Sequence, residues 1–133
     1  MKYFLDTNIC IYYLKGLCSK IKNVLLEKHP DEIKIAAIVK AELLYGAEKS
    51  ENKKDNILKV NEFLFPFEIV PFNDKETHHY SKIRTELERK GTSIGPNDLL
   101  IASIVLNNDG ILVTNNENEF RRIKGLKIEN WTK

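Results

Sequence analysis

Four acids occupy positions where acids are out of place. Asp6 directly follows the apolar run Tyr3, Phe4, Leu5, and Glu119 follows the strand-like run Ile111, Leu112, Val113. Glu42 and Asp98 lie inside otherwise apolar helical stretches. A carboxylate among apolar neighbours is unfavourable unless a cation or strong donors compensate it. Several such groups in one chain point to a bound metal. An all-oxygen set suits Mg²⁺ or Mn²⁺ and argues against zinc or copper, which favour nitrogen and sulfur.

Each acid also has a plainer explanation. Asp6 opens the trio Asp6, Thr7, Asn8, and all three residue types suit a helix cap. Glu42 has Ile38, Val39, Tyr45 and Gly46 at helical spacing, so the Tyr45 hydroxyl or a distant arginine would have to satisfy it. Asp98 stands two residues after Pro96, where the helix macrodipole favours a negative side chain by roughly 0.3 to 1 kcal/mol. Glu119 has Arg122 three residues away, which suits a surface ion pair. A metal is unnecessary only if all four explanations hold at once. His29, His78 and His79 lie far from these segments and have no ligand spacing. Cys10 and Cys18 match neither a CxxC pair nor a zinc set, and read as buried free thiols of a reducing compartment.

The elements that must position these acids alternate between strand and helix. Residues 2 to 5 read as a strand, and Asp6 to Asn8 opens a helix stopping at Gly16. Ser19 can cap a second helix, ending near His29 and Pro30. A strand over 33–37 runs into a helix over about 38–49, and the polar stretch 48–55 reads as an exposed turn before a helix carrying Ile57 to Leu64. A strand over 67–72 follows, then a helix capped by Asn73 or Asp74 and running to Gly91. Gly95 and Pro96 open another helix, since proline is tolerated in the first turn. Strands over 111–114 and 126–128 complete the set. Strands separated by helices imply parallel pairing, because the helix supplies the crossover. The expected fold is α/β, and in an open parallel sheet ligands bind beyond the carboxyl ends of the strands, where Asp6 and Glu119 fall.

Composition narrows the possibilities further. The chain has 133 residues, 42% hydrophobic and 30% charged, which fits one soluble globular domain with a proper core. Its net charge of +2 is the difference between 21 basic and 19 acidic residues, so total charge does not argue for nucleic acid. The apolar start is cut short at Asp6, leaving no core for a signal peptide. Leu99 to Leu106 falls far below the ~20 residues of a spanning helix. A cytoplasmic protein without membrane contact is expected.

With these residues in view, the chain resembles PIN-domain ribonucleases, and specifically VapC-type toxins of bacterial toxin–antitoxin pairs. The matching stretches are Leu5 to Asn8, Val39 to Gly46 around Glu42, Ile94 to Ala102 (IGPNDLLIA), and Val113 to Phe120 (VTNNENEF), followed by Gly125, Leu126 and Glu129 to Trp131. They occur in order from one terminus to the other. The resemblance implies one PIN domain over residues 1–133, a three-layer fold whose central parallel sheet is flanked by helices. It makes Asp6, Glu42 and Asp98 the core metal ligands. Many PIN domains carry a further aspartate where this chain has Asn116, so Glu119 is expected to supply the fourth charge while Asn116 binds weakly or orients water. Thr7, Asn8 and Thr114 are expected to support the acids by hydrogen bonds, and Arg121 and Arg122 to contact the RNA backbone.

The implied activity is Mg²⁺- or Mn²⁺-dependent hydrolysis of structured RNA, tRNA or rRNA, leaving 5′-phosphate and 3′-hydroxyl ends. The implied partners are a VapB-type antitoxin, a second copy of the chain, and DNA only through the antitoxin. Two other readings compete. A phosphatase of the aspartate-after-strand kind wants a DxD pair, but Asn8 stands at its second position; a response-regulator receiver wants adjacent acids after the first strand. The amide at position 116 keeps open a non-catalytic module that binds RNA or protein.

Overall fold

The computed structural model describes residues 1–133. Five short strands, β1 (Tyr3–Leu5), β2 (Ile33–Ala36), β3 (Glu68–Val70), β4 (Ile111–Val113) and β5 (Lys127–Glu129), form one sheet in the order β3-β2-β1-β4-β5, and every pairing is parallel. Seven helices flank it: α1 (Thr7–Lys15), α2 (Ser19–Glu27), α3 (Ala37–Glu48), α4 (Lys53–Leu64), α5 (Asp74–Arg89), α6 (Pro96–Asn107) and the single-turn α7 (Glu117–Phe120). This is the α/β architecture that the alternation predicts. None of the helices is long and apolar enough to cross a membrane.

The central strands are continuous hydrophobic runs because both faces of a parallel sheet are covered. Every residue of β1 and of β4 is buried, whichever face it points to. Helix α6 is apolar around most of its circumference, and its one buried hydroxyl, Ser103, is satisfied by the Leu99 carbonyl at 2.6 Å. The pairing of β1 with β4 depends on Gly110. A Cβ there would come within 2.6 Å of the Phe4 ring and 3.3 Å of the Lys2 carbonyl oxygen.

Element boundaries depart from the sequence reading in ways that have physical causes. Ser19 does not cap α2; it is the first helical residue, and Cys18 stands at the cap without a side-chain bond. Because Cys18 holds that boundary it is only half-buried, whereas Cys10 is fully buried as expected. Helix α2 ends at Glu27, and a 3₁₀ turn over Pro30–Glu32, closed by the His29 ring on the Asp31 N–H, leads into β2. The strand expected over 67–72 contracts to three residues, because Pro71 has no N–H for a ladder. Helix α7 was not foreseen within the polar run after β4.

The chain builds outward from β1 to β2 and β3, then crosses back to place β4 on the other side of β1. In open parallel sheets such a reversal, here between β1 and β4, is where ligands bind beyond the carboxyl ends of the strands. Helices returning between parallel strands run antiparallel to them, so the first turns of α3 and α6 arrive at the same end as the residues after β1 and β4.

Candidate metal centre

Asp6 is the residue immediately after β1 and also the N-cap of α1, so the helix cap expected of it is present, at the carboxyl end of a central strand. Its backbone N–H extends the β1–β4 ladder to the Val113 carbonyl at 3.0 Å, and its carboxylate accepts the Ile9 N–H at 2.9 Å. Burial raises its pKa above the ordinary value, and the charge of Glu42 adds to that; the Thr114 hydroxyl and the Ile9 and Asn8 backbone N–H groups act in the opposite direction. Asn8 thus contributes through its main chain, while its side chain is exposed. Cys10, one turn further, is fully buried, and desolvation together with the Asp6 charge holds its thiol protonated. A protonated thiol does not compete as a metal ligand.

Glu42 projects from the second turn of α3. Its Oε1 accepts the Thr7 hydroxyl at 2.6 Å, and its Oε2 is 3.4 Å from the Asn97 amide nitrogen. The Tyr45 hydroxyl does not satisfy it, since Tyr45 is 65% exposed. Asp98, in the first turn of α6, is half-buried, and its pKa is pushed up to about 6. Desolvation is the largest cause, followed by the charges of Glu119, Glu42 and Asp6 in that order, and a hydrogen bond shared with Glu119 favours the protonated form. Asp98 thus feels the charges of Glu119, Glu42 and Asp6, and Asp6 that of Glu42, so acids from four separate segments lie near one another.

Glu119 sits on α7 and makes no ion pair with Arg122. Its Oε2 accepts the Asn116 amide at 2.6 Å, while Arg122 Nη1 donates to the Ser93 carbonyl at 3.3 Å. Arg121 donates to Glu117 Oε1 at 2.8 Å. Thr114 is fully buried at the end of β4, and its hydroxyl oxygen accepts the Asn116 N–H at 2.9 Å. Three contributors gave no signal in the sequence reading. Asn97 is visible only as the neighbour of Asp98; Asn115 donates to the Tyr12 hydroxyl at 3.0 Å; and Glu117 gathers Arg121, Asn130 and Lys133 around one carboxylate. Their partners lie up to 103 residues away, beyond the reach of local pattern.

The donor set fits a hard divalent cation. No arginine, lysine or histidine forms an ion pair with Asp6, Glu42, Asp98 or Glu119. All four present oxygen, and their held-back partners are hydroxyls and amides. No three of these side chains already close on a common point as a ligand set would. The hydrogen bonds of Thr7 and Asn97 hold Glu42, and that of Asn116 holds Glu119. His29 belongs to the 3₁₀ turn, and His78 and His79 lie on α5.

Comparison with known proteins gives a consistent picture. The family model described as PIN domain matches residues 3–126. The chain is 48% identical over 134 residues to Ribonuclease VapC2 of Rickettsia felis, covering 100% of each, and 37% identical over 131 residues to the tRNA(fMet)-specific endonuclease VapC of Salmonella typhimurium, covering 98% of each. Among solved structures, VapBC2 from Rickettsia felis bound to a DNA fragment from its promoter superposes with a TM-score of 0.91 at 47% identity, covering 98% of this chain and 99% of that one. DNA-bound VapBC from Salmonella typhimurium gives 0.93 at 37% identity, with 98% of each chain covered.

Proposed function

The chain belongs to the PIN-domain family, and we propose that it is a divalent-metal-dependent endoribonuclease toxin of the VapC type, with residues 1–133 forming one PIN domain. The observation that carries this reading is that Asp6, Glu42, Asp98 and Glu119, beyond the strand ends and on the helices that follow, form no ion pair and that the side-chain bonds of Asp6, Glu42 and Glu119 come from neutral donors. Acids so arranged destabilise the fold unless a multivalent cation joins them. We assign Mg²⁺, with Mn²⁺ as substitute, because every donor is a hard oxygen. Asp6, Glu42, Asp98 and Glu119 are the residues that would hold it.

Such an ion, when bound, lowers the pKa of water and neutralises charge developing on a phosphodiester. The chain's own residues do the positioning. Asp6 is fixed by the α1 backbone, so its carboxylate cannot swing away. Thr7 and Asn97 hold Glu42 from two sides, and Thr114 ties the end of β4 to Asp6. Arg122, exposed beside Ser93, offers its remaining N–H groups to the RNA backbone, whereas Arg121 must first leave Glu117. Cleavage should leave 5′-phosphate and 3′-hydroxyl ends on a structured RNA, with tRNA the preferred candidate.

A toxin of this kind works in the cytoplasm, pairs with itself, and is blocked by a VapB-type antitoxin that also supplies the contact with DNA. The decisive experiment incubates the purified chain with total tRNA and Mg²⁺, with and without EDTA, beside the Asp6→Ala variant. Cleavage that stops with EDTA and with Asp6→Ala is the expected result. Metal-dependent cleavage by Asp6→Ala at the wild-type rate refutes the assignment.

A further inference from the structure

We propose that Asn116 is a positioning residue that holds the Glu119 carboxylate at the metal centre, and that it is not itself a ligand; this rests on the metal-dependent reading above. Asn116 stands at the N-cap of α7, where an asparagine side chain ordinarily accepts an N–H from the first turn. Here it makes no such bond. Its amide instead donates to Glu119 Oε2 at 2.6 Å. A carboxylate can only accept, so the bond fixes the amide orientation with its NH₂ toward the acid.

The main chain of the same residue is fixed from the other side. Its N–H donates to the Thr114 hydroxyl oxygen at 2.9 Å, and that hydroxyl is among the groups that act on Asp6. Asn116 therefore links Thr114, at the end of β4, to Glu119 on α7, one bond through its main chain and one through its side chain. An aspartate at this position would face Glu119 with a second carboxylate at close range. The amide removes that repulsion and converts position 116 from a charge into a brace, so the site works with four acids. Groups that orient a metal ligand typically alter metal affinity 10- to 100-fold when removed.

The test measures Mn²⁺ affinity by calorimetric titration for the wild type, Asn116→Ala, Glu119→Ala and the double variant, with thermal unfolding to confirm that each is folded. Loss of Asn116 should weaken Mn²⁺ binding about tenfold in the wild-type background and not at all once Glu119 is gone. Unchanged affinity in Asn116→Ala overturns the proposal. So does a double variant whose loss equals the product of the two single losses, because that makes Asn116 an independent ligand. A second measurement needs no metal: the Asn116 side-chain amide resonances of the metal-free protein should move on Glu119→Ala. If wild type binds no Mn²⁺, the metal reading fails and the resonance shift alone decides, with unmoved signals overturning the brace.

Discussion

Replacing Asp98 by asparagine should make the metal-free protein more stable while abolishing its metal response. The folded pKa of Asp98 is about 6 against an ordinary 3.8. Between those values the native state holds a proton that the unfolded chain has released, so stability falls as pH rises through this window. Above about pH 6 the full penalty is present. At about 1.36 kcal/mol per pKa unit the gap sets a ceiling near 3 kcal/mol; Asp98 is only half-buried, and solvent screening brings this to on the order of 1 kcal/mol. Asparagine has nearly the same shape and no charge. For a domain of this size, 1 kcal/mol corresponds to a Tm change of about 3 to 4 °C. Thermal unfolding followed by circular dichroism in EDTA should therefore show Asp98→Asn above wild type at pH 7.5. The advantage should shrink at pH 5, where wild-type Asp98 is itself protonated. Added Mn²⁺ should reverse the order, because only wild type keeps the full ligand set. A variant that is less stable in EDTA at pH 7.5, or an advantage undiminished at pH 5, refutes the reasoning.

Four further outcomes follow from single contacts. Thr7→Val removes the hydroxyl on Glu42 Oε1 and should lower metal-dependent RNA cleavage about tenfold, by the usual effect of such orienting groups, with Tm nearly unchanged; cleavage at the wild-type rate would show that Glu42 needs no such hold. Gly110→Ala drives a Cβ against Phe4 and should destabilise the fold by about 1 to 3 kcal/mol through overpacking of the central strands, measured by urea denaturation. Glu76, buried on α5, accepts the Asn107 amide at 2.9 Å and the Asn73 N–H at 3.1 Å; Glu76→Ala strands both donors and should cost about 1 to 3 kcal/mol in the same assay without altering Mn²⁺ affinity. Glu117→Ala frees Arg121, Asn130 and Lys133 and should speed amide exchange over residues 130–133, a change that unaltered exchange rates would disprove.

The order of elements was legible because hydrophobic period is a local property. Asp6, Glu42 and Asp98 stood out as candidates for a related reason: each lies beside or within an apolar stretch, a contrast visible within a few residues, whereas Glu119 lies in a polar run and stood out only through the strand before it and the family resemblance. Helix α7 was not legible. Its sequence, Glu117 to Phe120, is polar apart from one phenylalanine, and a single turn has too few residues to display a period. Asn97, Asn115 and Glu117 were illegible because an asparagine or glutamate in a polar segment looks the same whether it faces solvent or a residue across the fold. The Arg122–Glu119 spacing misled for the converse reason. Three residues apart suits an ion pair on a helix, yet α7 ends at Phe120, so Arg122 lies past the helix and reaches Ser93 instead.

The nature of the residues that hold the acids explains how they coexist before any ion arrives. Their partners are Thr7, Asn97, Thr114, Asn116 and backbone N–H groups, all neutral. A lysine or arginine in the crevice would have relieved the repulsion more strongly, and would also have cancelled the negative charge that attracts a divalent cation. Neutral donors hold each oxygen in place and leave the charge intact. On this account an added cation is the perturbation to which the site should be most sensitive. Thr7→Lys, which places an ammonium beside Glu42 in place of a hydroxyl, should raise the Tm of the metal-free protein and abolish its rise with Mn²⁺. A Thr7→Lys protein that still gains stability with Mn²⁺ as the wild type does would show that the neutrality of these partners is incidental.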